Sequence, residues 1–164
     1  MNGKTPALQD IAPTSICFGC GPNSKNGLKI KSYWDADNTH IIATYTPDSC
    51  YVGWESLLYG GITSCLIDCH SNWTVMAHHY RAENREMDTL PRIECVTGSL
   101  NVKYLRPIRI GVPLFLKAHI RGEIGRKTRV ICKVYANDML SALGDSIFVR
   151  VNIDDILPVT EPRP

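Results

Sequence analysis

The chain has 164 residues, 44% of them hydrophobic and 21% charged, with a formal net charge of +2. Those values suit one soluble globular domain that can bury a core, and they exclude the strongly basic balance of a nucleic-acid or membrane-surface binder. No apolar run of about 18 residues and no leader-like N-terminus is present, so a cytoplasmic protein is expected.

In chain order, residues 1–15 (MNGKTPALQDIAPTS) carry Pro6 and Pro13 and read as a loosely ordered lead-in. The main domain is expected over 16–154, followed by a Pro-rich tail over 155–164 that holds Pro158, Pro162 and Pro164. LKIKSYW (28–34) alternates Leu28, Ile30, Ser32 and Trp34 against Lys29, Lys31 and Tyr33. THIIATYT (39–46) is rich in β-branched residues, and Asp37-Asn38 supplies turn chemistry between these two strands. One long helix is predicted over 58–79, where Ile62, Leu66, Cys69, Trp73 and Met76 recur at spacings of three and four.

Four strands should follow. RIECVTGSLNVKYLRP sets Val96, Leu100, Val102 and Tyr104 on one face against Thr97, Ser99, Asn101 and Lys103. VPLFLKAHIRG alternates Val112, Leu114, Leu116, Ala118 and Ile120 with Pro113, Phe115, Lys117, His119 and Arg121. TRVICKVYAND and SIFVRVNI then flank a turn near Asn137-Asp138. Short connections favour an antiparallel meander. The expected class is α+β: one long helix wrapped by a curved antiparallel sheet of about six strands.

The helix carries a second stripe of small and polar residues: Gly61, Ser64, Asp68, Ser71 and Asn72. A solvated face would favour Lys and Glu, so this stripe suits either close approach by a ligand or a polar subunit contact. Gly60 and Gly61 would leave the first, unpartnered N–H groups of the helix open to an oxygen. Such donors can hold a carbonyl oxygen that gains charge under attack, and Asp68 could act as general base or nucleophile. The competing structural reading is a tight helix start with a carboxylate that favours the dipole.

Seven cysteines in a chain without a leader read as thiols rather than a disulfide framework. Cys17 and Cys20 form one Cys-x-x-Cys, and Cys65 and Cys69 lie one helical turn apart. No second pair at zinc-like spacing stands out, so no metal and no cofactor are expected. His78 and His79 close the predicted helix, where cations would suit the negative end. His70 is turned about 200° from Asp68 and reads as structural.

Three segments together resemble the hotdog-fold acyl-CoA thioesterases, specifically the PaaI-like branch. They are CFGCGPNSKNGL (17–28), YGGITSCLID (59–68) and VTGSLNVKYLRPIRIGVPL (96–114), within a similarity spanning roughly 17–152. The resemblance implies hydrolysis of an acyl-CoA to free acid and coenzyme A by homodimers or homotetramers, with active sites at the dimer interface. It implies that Asp68 is the catalytic carboxylate, that the Gly61 amide polarises the thioester carbonyl, and that Thr97 helps position water. Tyr59 and Gly60 would border the substrate, and Lys103, Arg106, Arg126 and Lys127 are the candidate partners of coenzyme A phosphates. For Cys17 and Cys20 it implies a turn packed near the sheet. The sequence departs from the family at Tyr59, where His is common, and at Cys69, where Glu often follows the acid. A non-catalytic acyl-CoA or acyl-carrier binding protein on the same fold is the alternative, encouraged by Tyr59. A dehydratase ranks last, because no His is placed for it.

Overall fold

The computed structural model describes residues 6–152. Its main sheet holds six antiparallel strands: β1 (Tyr33–Trp34), β2 (Ile41–Tyr45), β5 (Glu94–Tyr104), β6 (Leu114–Ile120), β7 (Lys127–Ala136) and β8 (Met139–Val151). The spatial order is β1-β2-β6-β7-β8-β5, so the sequence meander is broken only where β5 joins the far edge beside β8. A separate hairpin of β3 (Val52–Trp54) and β4 (Leu57–Leu58) leads into the helix α1 (Gly60–Ala82). The helix runs three residues beyond its predicted end. Among the described residues no helix is long and apolar enough to cross a membrane.

Alternation along the strands builds the core. Leu114, Leu116 and Ala118 of β6, and Val130, Cys132 and Val134 of β7, are completely buried on the helix side. They meet Leu66, Ile67 and Val75 of α1, also completely buried. Each such large apolar side chain contributes about 1.5–3 kcal/mol by leaving water. The helix lies so close to β8 that a Cβ on Gly144 would come 2.3 Å from Ile67 Cγ2. The β7–β8 hairpin closes through Asn137 and Asp138, both at positive φ (48° and 61°), as a two-residue turn of primed type requires.

Two segments differ from expectation in instructive ways. Within 28–34 only Tyr33 and Trp34 join the ladder, although Leu28, Ile30 and Ser32 are buried as the alternation predicts. Lys29 sits at φ 53°, which interrupts extended structure, and the backbone finds other partners. Leu28 N–H donates to Phe18 (2.7 Å), Ile30 N–H to Gly19 (3.1 Å), and Ser32 C=O accepts from Leu8 (2.9 Å). In the lead-in, Leu8–Ile11 form a 3-10 turn whose Gln9 side chain is completely buried. The tail from 153 onward lies outside the described residues.

A candidate active site beside Asp68 and the start of the central helix

Asp68 projects from α1 toward β5, where Thr97 Oγ1 donates to its Oδ1 at 2.7 Å. The alternation of β5 did not foresee this meeting, because it set Thr97 on the face opposite Leu100 and Val102. A bulge lies between Thr97 and Ser99, at Gly98, and it reverses the parity of the strand. Cys95 and Thr97 therefore face the helix before the bulge, while Leu100 and Val102 are half-buried after it. Val96, expected with Leu100, is 39% exposed instead. The bulge is what places a hydroxyl against the carboxylate.

Burial raises the Asp68 pKa above the ordinary carboxylate value, and the Thr97 hydrogen bond partly opposes that shift. A raised pKa makes the carboxylate a stronger base than a solvated aspartate. Asp68 lines a cavity of about 300 Å³ with Asn72, Trp73, Cys17, Cys20 and Ile93. This volume is at the small end of the range for small-molecule pockets. Asn72 Nδ2 donates to the Cys95 carbonyl (3.0 Å), and its buried Oδ1 has no partner among the described residues. Asn72 is one turn beyond Asp68, and that spacing of four sets both on the same stripe of the helix. Ser71, expected in the same polar stripe, is fully buried in the core instead.

The helix start forms a second, separate locus. Tyr104 OH donates to the Gly60 carbonyl (2.8 Å), and the Ser64 hydroxyl donates to the Tyr104 oxygen (2.6 Å). The Tyr59 ring folds over Gly61, so that a Cβ there would lie 2.5 Å from Tyr59 Cε1. Gly61 precedes Asp68 by seven residues, a rise of about 10 Å along the helix, so the two cannot meet one carbonyl within a single chain.

The four basic candidates do not converge in one chain. Arg106 lines a groove with Gly60, Tyr104 and Pro107, and its Nη1 donates to the Leu140 carbonyl at 2.6 Å. Lys103 is exposed on β5 opposite Leu143. Arg126 lies near the other end of the helix, with His79, Glu83 and Arg150 around a second groove. Lys127 begins β7 opposite Val149, which in turn pairs with Val96.

Sequence reasoning left three things open: the partners of His70, which it reads correctly as structural, the surroundings of His78 and His79, and the packing of the Cys17–Cys20 turn. His70 is completely buried, and its Nε2 donates to the Ile41 carbonyl (3.1 Å). Its Nδ1 therefore accepts from Ser32 Oγ (2.9 Å), and Gln9 Nε2 donates to that same oxygen (3.0 Å). Burial lowers the His70 pKa to about 4. His78 and His79 do not close the helix, which runs on to Ala82. Burial lowers both their pKa values, with the Arg81 charge (for His78) and the Arg150 charge (for His79) adding to this, so the cationic form is disfavoured there. Third, the Cys17–Cys20 turn, expected near the sheet, packs on α1 and lines one cavity with Cys95 of β5. Cys17 Sγ lies 3.7 Å from Cys69 Sγ, and Trp73 Nε1 donates to Cys20 Sγ at 3.2 Å. Hydrogen bonds from Cys20 and Cys69 draw the Cys17 thiol well below its usual range, while its proximity pushes Cys20 up to about 11.

No family model and no curated protein matches the sequence. Solved structures do. A thioesterase superfamily protein from Shewanella loihica is 29% identical, with a TM-score of 0.60 over 75% of this chain and 91% of that one. The PaaI protein of the E. coli phenylacetic acid degradation operon matches with a TM-score of 0.57 at 15% identity, over 69% of this chain and 73% of its own. A hypothetical thioesterase of Streptococcus pneumoniae solved with coenzyme A gives a TM-score of 0.58 at 12% identity, over 70% and 82%. The helix packed against a six-stranded antiparallel sheet is the hotdog arrangement, and with these matches the chain is placed in the hotdog-fold thioesterase superfamily, to which the PaaI-like proteins belong.

Proposed function

We propose that the protein hydrolyses an acyl-CoA thioester, with Asp68 as its general base or nucleophile. The observation that carries this reading is a carboxylate with a raised pKa, fixed through one oxygen by Thr97 at a cavity of acyl-group size. Oδ2 is then left for a water molecule. In the general-base route Asp68 takes a proton from that water as its oxygen attacks the thioester carbon. The carbonyl oxygen becomes an oxyanion, the tetrahedral intermediate collapses, and the C–S bond breaks. Coenzyme A leaves as a thiolate that takes up the proton, and the acyl group leaves as the free acid. In the nucleophilic route Asp68 itself attacks the thioester carbon, and the C–S bond breaks to expel coenzyme A as a thiolate. Water then cleaves the resulting anhydride, which restores the carboxylate, releases the acid and supplies the proton that the thiolate takes up.

The oxyanion needs a donor, and the Gly61 amide of a second copy is our candidate, since Gly61 of the same chain is too far along the helix. A homodimer, or a tetramer of two dimers, supplies it. Lys103, Arg106, Arg126 and Lys127 are assigned to the phosphates of coenzyme A, the molecule with which the pneumococcal structure was solved.

The test is thiol release from short, medium, long and aromatic acyl-CoAs. Turnover on one class supports the reading and names the substrate. Mixing Asp68→Asn chains with Gly61→Val chains, each inactive alone, restores turnover if the two residues work across subunits. One observation favours a second reading: the Tyr59 ring covers the Gly61 position that a carbonyl would approach. Binding of acyl-CoA by the wild type without turnover on any class would establish a non-catalytic binding protein instead.

A further inference from the structure

The expectation of no metal rested on the lack of a second cysteine pair, yet the fold brings one to the first. Cys17, Cys20 and Cys69 hold their three sulfurs within 4.8 Å of one another. Cys17 and Cys69 are 52 positions apart in sequence, and their sulfurs are separated by 3.7 Å. A tetrahedral zinc with bonds of about 2.3 Å sets its sulfurs about 3.8 Å apart, so this separation is already that of one edge of a coordination tetrahedron. Cys65 lies one helical turn before Cys69, on the same side of α1. The Gly19 backbone rests on both of these sulfurs: a Cβ there would lie 2.3 Å from Cys69 Sγ and 3.0 Å from Cys65 Sγ.

One neighbouring donor is placed to support a metal-bound sulfur. The Trp73 indole N–H is directed at Cys20 Sγ at 3.2 Å. Donors aimed at sulfur stabilise its anionic form and orient it, the outer-shell arrangement typical of a metal–thiolate centre. Three thiolates at this spacing repel one another unless a cation lies between them.

We propose that Cys17, Cys20 and Cys69, with Cys65 as the fourth ligand, bind a structural zinc ion that fastens the 17–20 turn to α1 beside Asp68. A closed set of four thiolates leaves no position for water, so the ion holds the cavity wall in place and takes no part in bond cleavage. Binding releases the thiol protons to solvent and involves no change of oxidation state.

The experiment is metal analysis of the full-length protein, which reads the site independently of thioester hydrolysis. We expect about one zinc per chain in the wild type and in Asp68→Asn, and zinc loss in Cys17→Ser and Cys69→Ser. Cys50→Ser is the control, since Cys50 is exposed on a different turn and should keep the metal. Because a ligand variant could simply fail to fold, wild-type protein stripped of metal under reducing conditions is also titrated with cobalt(II). Intense thiolate-to-cobalt charge-transfer absorption with the d–d bands of a tetrahedral ion is the expected result. Metal-free wild type that gives no such absorption overturns the proposal. So does stoichiometric iron with sulfide, or retention of zinc by both Cys17→Ser and Cys69→Ser.

Discussion

Asp68 and His70 stand two residues apart on one helix and are held on opposite terms. His70 is fully enclosed, and every polar atom of its ring has a partner in the chain Gln9–Ser32–His70–Ile41. Asp68 is half-buried, has one hydrogen bond from Thr97, and opens onto a cavity. Burial acts on both: it pushes the histidine down, and so toward its neutral form, and pushes the carboxyl up. The difference lies in what remains to be satisfied. A buried polar group with all its partners ties elements together, whereas one with a free lone pair beside a cavity has capacity for a ligand. One face of α1 is thus held by satisfied polar contacts, while the other carries the carboxylate to which we assign the proposed chemistry.

Replacing His70 with Leu should sharpen that division most. It strands the Ser32 hydroxyl and the Ile41 carbonyl, and urea unfolding should show a loss of roughly 2–4 kcal/mol. Turnover per folded molecule should be unchanged. A comparable effect comes from pH. His70 titrates at about 4 when folded against 6.5 in the unfolded chain, so the unfolded state binds more protons between those values. Stability from this group is complete above pH 6.5, is lost as pH falls toward 4, and levels off below it. The loss amounts to roughly 3 kcal/mol, and the slope should vanish in His70→Leu.

On the other face the effects are kinetic. Thr97→Val removes the donor that holds the Asp68 pKa down, so the acid limb of the rate–pH profile should move to higher pH. Turnover should fall about tenfold with little change in melting temperature, and Thr97→Ser should restore both. The smallest expected effect is on the stability of Asp68→Asn. A carboxyl whose folded pKa is raised disfavours folding once it ionises, so its amide should melt at the wild-type temperature or slightly above near neutral pH.

The sequence carried the two faces unequally. The helix, its apolar stripe and the inward positions of β6 follow periods of 3.6 and 2, and those periods arise from backbone geometry alone. Asp68 and the glycine pair were legible as spacing. Thr97 was assigned to the wrong side of β5 because the Gly98 bulge shifts the parity, though a lone glycine inside a strand is itself a bulge signal. The partners of His70 and of Cys17 were hidden for a different reason. Gln9, Ser32 and Ile41 reach His70 from three other segments, and Cys69 reaches Cys17 only because a turn near the N-terminus folds back onto the helix. No local pattern encodes such contacts. Likewise Leu28 and Ile30 alternate as a strand would, yet their backbone bonds go to the cysteine turn.

The most direct test of the account is thiol release by Asp68→Asn on the best acyl-CoA substrate of the wild type, with its melting temperature recorded beside it. The account predicts a fall of about 10²–10⁴-fold in turnover in a protein that melts no lower than the wild type. Undiminished turnover in that folded variant would contradict it, and would move the chemistry away from this face of the helix.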